Sequence, residues 1–194
     1  MLSRALALFL FAVGVAFAHP HVFLDATVKV LFNETGLTAV RNHWVYDEMY
    51  STAMMASGDK NGDGSITGAE LAWFQKTILD PVSTSNYFNY VLNGTKFLGV
   101  EKIVNFKASM NNGRLTLDFD VVFTCPVKDD YTMIVVVVAD PSNYIQVTTD
   151  MDVSDVDAPE SVDVEFFDDG LDGLTMFRAF QSNVRGLYLR FKKQ

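Results

Sequence analysis

Val22-Phe23-Leu24-Asp25-Ala26-Thr27-Val28-Lys29-Val30-Leu31-Phe32, then Asn33-Glu34-Thr35-Gly36, then Leu37-Thr38-Ala39-Val40-Arg41-Asn42-His43-Trp44-Val45-Tyr46, is the stretch that decides the fold. In its first part Val22, Leu24, Ala26, Val28, Val30 and Phe32 alternate with Phe23, Asp25, Thr27 and Lys29. A period of two with one polar set predicts a strand with one face in a core and the other in water. Asn33 to Gly36 is turn chemistry, and a three-residue loop with Gly36 in the left-handed position closes a hairpin. That register opposes Asn33 to Leu37, Val30 to Val40, Ala26 to Trp44 and Leu24 to Tyr46. The apolar residues then share one face, and a slip by one residue would turn them all to solvent.

Downstream the period changes. Asp47 to Ser57, rich in Met and Ala, reads as a helix that Gly58 ends. Leu71, Phe74, Ile78 and Leu79 mark one face of a second helix, limited by Pro81. A short helix is expected from Ser83 to Leu92, carrying Tyr87, Phe88 and Tyr90, before an Asn93-Gly94 turn. Strands follow at Lys102–Ser109, Leu115–Phe123, Tyr131–Ala139 (buried on both sides), Tyr144–Thr148 and Ser161–Phe167, with a turn at Asn111-Asn112-Gly113. The acidic stretch Asp150 to Glu165 reads as a solvated loop and edge. Leu174 to Lys193 fits helix and strand equally. The expected fold is α+β: an antiparallel sheet or sandwich, with an EF-hand-like helix-loop-helix over residues 47–80 inserted after the first hairpin.

Between the two helices lies Asp59-Lys60-Asn61-Gly62-Asp63-Gly64-Ser65-Ile66-Thr67-Gly68-Ala69-Glu70. It fits D-x-[DN]-x-[DN]-G-x₅-E at every constrained position. Calcium takes six to eight oxygens at about 2.3–2.6 Å. Asp59, Asn61 and Asp63 supply side-chain oxygens, Ser65 its carbonyl, Thr67 a direct or water-mediated ligand, and Glu70 both carboxylate oxygens. Gly64 allows the sharp turn, and Ile66 ties the loop to its surroundings.

Upstream, Arg4 precedes the uncharged run Ala5–Phe17, and Ala16-Phe17-Ala18 offers a small-x-small cleavage pattern. Residues 1–18 therefore read as a secretory signal peptide. The expectation is one exported domain over 19–194, periplasmic or secreted, beginning at His19. No later segment is long and apolar enough to span a membrane. The formal net charge is −9, and loss of Arg4 makes it more negative. That excludes nucleic acid and anionic membrane surfaces as favoured partners and selects for cations. Cys125 is the single cysteine, so no internal disulfide exists, and its setting before Pro126 reads as structural.

A chain starting His19-Pro20-His21 would place a free amine beside one imidazole and a second imidazole on the same side of an extended backbone. Such donors suit Zn²⁺, Ni²⁺, Co²⁺ or Cu²⁺. Pro20 removes the amide that one N-terminal copper and nickel mode needs. His43 faces Thr27 in the hairpin register, about 20 Å from His21 at roughly 3.3 Å per residue. Asp47 lies diagonal to His21, so His19, His21 and Asp47 form the candidate transition-metal set.

His19-Pro20-His21-Val22-Phe23 after the leader, His43-Trp44-Val45-Tyr46-Asp47-Glu48-Met49-Tyr50-Ser51, Tyr87-Phe88-Asn89-Tyr90 with Asn93-Gly94, and Asp140-Pro141-Ser142-Asn143-Tyr144-Ile145 together carry a resemblance. The chain resembles the bacterial periplasmic family catalogued as domain of unknown function one thousand and seven, whose members are often labelled as a periplasmic component of an ABC-type transport system. Tyr46 stands where that family usually has Phe, and the C-terminal part matches poorly. The resemblance implies metal handling beside a membrane metal transporter. It supplies no activity. No Ser/His/Asp or Cys/His arrangement and no phosphate-binding glycine loop is present, and a copper enzyme would need a second histidine converging on His19. The sequence thus describes a non-enzymatic exported calcium-binding protein. The alternative is a transition-metal capture protein.

Overall fold

The computed structural model describes residues 22–142, 144–150, 153–171 and 184–194. Two antiparallel strands open it, β1 (Val22–Asn33) and β2 (Gly36–Tyr46). Leu24 pairs with Tyr46, Ala26 with Trp44, Thr27 with His43 and Val30 with Val40, as the alternation requires. The turn end differs from expectation. Asn33 pairs with Gly36 rather than Leu37, and the register shifts beyond Leu31. The cause is a two-residue turn at Glu34-Thr35, in which the Asn33 side chain accepts hydrogen bonds from Thr35 and Gly36 N–H. Gly36 has φ +134°, and a Cβ there would lie 2.2 Å from the Cys125 carbonyl. Only glycine fits that close approach.

Helix α1 (Glu48–Gly58) and helix α2 (Gly68–Phe74) flank the acidic loop. The remaining described strands are β3 (Asn89–Asn93), β4 (Lys96–Phe97), β5 (Lys102–Asn111), β6 (Arg114–Pro126), β7 (Thr132–Val138), β8 (Ile145–Thr149), β9 (Asp155–Asp157), β10 (Val162–Gly170) and β11 (Arg185–Lys193). One sheet runs β5-β6-β2-β1-β8, with β9 also beside β1; the other runs β10-β11-β7-β3-β4. Val22, Leu24, Trp44, Leu117, Phe119 and Phe123 from the first sheet share one buried core with Val91, Ile134, Val136, Leu189 and Phe191 from the second. The described chain is therefore mostly β, two sheets face to face, with its helical elements gathered between β2 and β3.

Four differences from the sequence reading have physical causes. First, β8 and β9 lie parallel to β1, where the sequence reading expects only antiparallel pairing. β8 enters from β7 in the opposite sheet, so no hairpin constrains its direction, and β9 continues the same run farther along β1. Second, Tyr131–Ala139 is not buried on both sides throughout: Met133 is exposed. Third, the second helix does not run to Pro81. It ends at Phe74, continues as a π turn over Gln75–Leu79 and then as 3₁₀ turns over Asp80–Phe88. Fourth, the helix expected up to Leu92 becomes strand at Asn89, where Tyr90 and Leu92 pair with Val137 and Val135. Of the ambiguous C-terminal segment, Arg185–Lys193 is strand.

The change from 3₁₀ turn to strand passes through strain. Asn86, Tyr87 and Phe88 have φ of 54°, 52° and 58°. Left-handed backbone costs a residue with a side chain about 1–2 kcal/mol. The neighbourhood holds it. The Phe88 ring stacks on Trp44 at 5.8 Å, the Phe88 carbonyl accepts from Ala139 N–H at 3.0 Å, and the Tyr87 carbonyl accepts from Asn89 Nδ2 at 2.7 Å. A gentler instance is the expected turn after β5. Asn112 and Gly113 both have positive φ, as a two-residue hairpin turn demands, and Asn111 pairs with Arg114.

Candidate metal centre

The loop is positioned from both sides. Asp47 caps α1, with Oδ1 accepting from Tyr50 N–H at 2.8 Å and Oδ2 accepting from Phe23 N–H at 2.9 Å. One carboxylate thus fixes the helix start to β1. At the other end of α1, a Cβ on Gly58 would sit 2.4 Å from the Phe74 ring and 2.6 Å from Trp73. Glycine lets α1 and α2 meet there, and Phe74 is fully buried. Ile66 is also buried, in the core shared by both sheets. The loop between these anchors is exposed at every position from Lys60 to Ser65.

Its polar groups turn inward on its own backbone. Asp59 Oδ1 accepts from Gly62 N–H at 2.8 Å and Oδ2 from Gly64 N–H at 2.9 Å. Asn61 Oδ1 accepts from Asp63 N–H, and Asp63 Oδ1 accepts from Ser65 N–H at 2.7 Å. Asn61 Nδ2 donates to Asp63 Oδ2 at 2.9 Å. Gly64 has φ +76°, the conformation the motif needs at that position.

Glu70 behaves differently. Its side chain is buried, 8% exposed. Oε1 accepts from Lys60 N–H at 2.9 Å and more weakly from Asn61 N–H at 3.4 Å, so the carboxylate faces the start of the loop. Oε2 is buried and has no hydrogen-bond partner. A buried carboxylate oxygen left unsatisfied is costly. Glu70 also lines a cleft of about 450 Å³ with Lys60, Asn61, Thr67 and Trp73.

Asp59, Asn61, Asp63, Ser65, Thr67 and Glu70 thus all lie in one short loop, with the Glu70 carboxylate turned toward its opening residues. Among the described residues no three His, Cys, Asp or Glu side chains converge as a ready-made metal site. The reason is visible in the hydrogen bonds: Asp59 and Asp63 spread onto backbone amides, which separates like charges. The donor set still fits a hard cation, being oxygen throughout, and Oε2 of Glu70 lacks the partner a cation would provide.

Of the transition-metal set, His19 and His21 lie outside the described residues. Asp47 lies opposite Phe23 at the entry of β1, and both of its carboxylate oxygens serve the backbone. His43 is exposed and pairs with Asp118 on β6, Nδ1 to Oδ1 at 2.7 Å. Asp25 pairs with Arg114. Cys125 is buried within β6, burial pushes its thiol up, and Asn93 Nδ2 donates to its sulfur.

Sequence reading misses one polar network. Asp120, on the outer face of β6, is buried. It accepts from Arg41 Nε at 2.7 Å, Arg41 Nη2 at 3.0 Å and Asn105 Nδ2 at 2.8 Å. Burial opposes its ionisation, but these hydrogen bonds outweigh it and hold the carboxyl below the usual range. Asn105 reaches it because β5 bulges between Val104 and Lys107, with Asn105 at φ 58°. An Asn inside a strand pattern is the available signal, since Asn adopts left-handed backbone more readily than other residues.

Among the described residues no helix is long and apolar enough to cross a membrane. The chain belongs to the family described as "protein of unknown function (DUF1007)", whose model matches residues 4–168. It is similar to an uncharacterized protein of Haemophilus influenzae, 24% identical over 150 residues, which cover 76% of this chain and 71% of that protein. It is also similar to an uncharacterized 15.5 kDa protein of Spirochaeta aurantia, 35% identical over 68 residues, which cover 35% of this chain and 49% of that protein.

Proposed function

We propose that this is an exported calcium-binding protein in which a single EF-hand loop, Asp59–Glu70, holds one Ca²⁺ and so stabilises the segment that follows the first hairpin. The observation that carries this reading is Oε2 of Glu70: buried, without a partner, at the closing position of a fully matched twelve-residue motif. The ion would be held by Asp59, Asn61, Asp63, the Ser65 carbonyl, Thr67 and Glu70, and its charge would offset three neighbouring carboxylates. Ile66, buried in the sandwich core, gives the loop a β scaffold to lean on. Affinity on the order of 10⁻⁴–10⁻³ M, typical of extracellular modules, suits a structural site. The leader-like residues 1–18 support a periplasmic or secreted setting. The reading places the protein beside metal handling or transport, with metal ions and a membrane metal transporter as its partners.

The test is calorimetric titration of the purified chain with CaCl₂, paired with melting in CaCl₂ or EGTA. At ten times Kd a single site adds about 1.4 kcal/mol, and at a hundred times about 2.7 kcal/mol. Glu70→Gln should abolish most of that gain while leaving the fold intact in EGTA. A melting temperature unmoved by millimolar Ca²⁺, with no binding heat, rejects the reading.

A further inference from the structure

We infer that calcium acts as a latch on one segment, residues 58–88, which opens locally ahead of the β-sandwich. This inference rests on the calcium reading above and concerns what occupancy of that site controls. Three observations point to it. Among the described residues, the hydrogen bonds given for this segment run within it, apart from Asp59 N–H to the Met55 carbonyl of α1, until Asn86, Tyr87 and Phe88 accept from Asn89 and Ala139. Ladder bonds bind the sandwich strands to one another across long sequence separations, and local bonds do not do this for the segment. Next, the segment carries unfavourable features at both ends. At its start, one Glu70 oxygen is buried without a partner. At its exit, Asn86, Tyr87 and Phe88 sit in left-handed backbone. Finally, the elements between are a seven-residue helix, a π turn and 3₁₀ turns, all weaker than regular helix or sheet. Against these stand Ile66, Phe74, Ile78, Leu79 and Phe88, which insert into the core.

Such a segment is a separate opening unit in the sense that hydrogen exchange reports. The cation binds only the closed form, because its ligands come from positions spread across the loop and Glu70 must be seated. Occupancy therefore lowers the open population by the factor 1 + [Ca²⁺]/Kd. The strained exit acts in the opposite direction, as a spring that opening relaxes.

The experiment is amide hydrogen exchange by mass spectrometry on the full chain, in EGTA and at ten times the calorimetric Kd of CaCl₂. In EGTA, protection over 58–88 should lie well below that of β1, β2 and β6, and calcium should raise it about tenfold. The Asn86→Gly variant relieves one strained residue and should raise protection of the same segment in EGTA by about threefold. If calcium binds by calorimetry but 58–88 in EGTA is already as protected as β1, β2 and β6, or gains nothing from calcium, the latch is wrong while the site stands. If calcium does not bind at all, the calcium reading itself fails. Unchanged protection in Asn86→Gly removes the spring and overturns the inference as stated.

Discussion

The hairpin β1–β2 and the segment that follows it are neighbours in sequence and opposites in how they are held. In the hairpin the inward residues, from Val22 to Phe32 and from Leu37 to Tyr46, contribute apolar surface to the core, and both strands have ladder partners on either side. In the segment Asp59–Phe88, a few large apolar anchors have to hold an exposed acidic loop, a buried unpaired oxygen and three left-handed residues. The first region is self-sufficient. On the calcium reading proposed above, the second closes best when a cation joins it. Stability that comes from burial is indifferent to small ions, and stability that comes from oxygen ligands is set by them.

Mutations can break or sharpen this contrast. The largest effect should come from Trp44→Ala, which removes a fully buried ring that touches Phe88, Phe119 and Tyr46. A loss of about 3–5 kcal/mol in urea unfolding is expected. It should be the same in calcium and in EGTA, and a loss that calcium halves would erase the distinction. Next comes the Asp120 network. Its folded-state pKa is lowered, so its contribution is complete above the unfolded value near 3.9 and disappears as pH falls through the folded value. Asp120→Asn should cost about 1.5–3 kcal/mol at neutral pH. It should also flatten the acid limb of a urea-midpoint profile measured from pH 7 to pH 3. Gly58→Ala drives a methyl into Phe74 and Trp73, for a cost of about 1–3 kcal/mol. Here calcium affinity, read by calorimetry, should weaken as well, because the clash lies at the joint that positions Glu70. The smallest effect is expected at Met133, exposed on β7. Met133→Lys should change stability by less than about 0.5 kcal/mol in either buffer.

Legibility in the sequence follows the same division. The period of two in Val22–Phe32 fixes face and register together, so the pairing of Leu24 with Tyr46 follows from the residues alone. The reading fails only at the turn, where Asn33 builds a tighter loop than Gly36 by itself suggests. The tight turns of Asp59–Glu70 are legible because Asp, Asn and Gly at fixed spacing are a local constraint. What lies hidden is non-local. Nothing in Ile145–Thr149 says that it will lie parallel to β1. Tyr90 and Leu92 fit a helix face as well as a strand, and only pairing with Val137 and Val135 decides between them. Asp120 reads as an outward, wetted residue until Arg41 and the bulged Asn105 cover it.

The placement of β11 has a consequence for how the molecule is made. Arg185–Lys193 slots between β7 and β10, both of which precede it in sequence. Until those nine residues arrive, β7 and β10 each present an open edge to the surroundings. Pairing across such distances is slow, and exposed edges recruit other chains. Assembly therefore cannot proceed in step with the emergence of the polypeptide. It has to wait, with apolar strands such as Ile134–Val138 unprotected, for a single late insertion that completes the sheet.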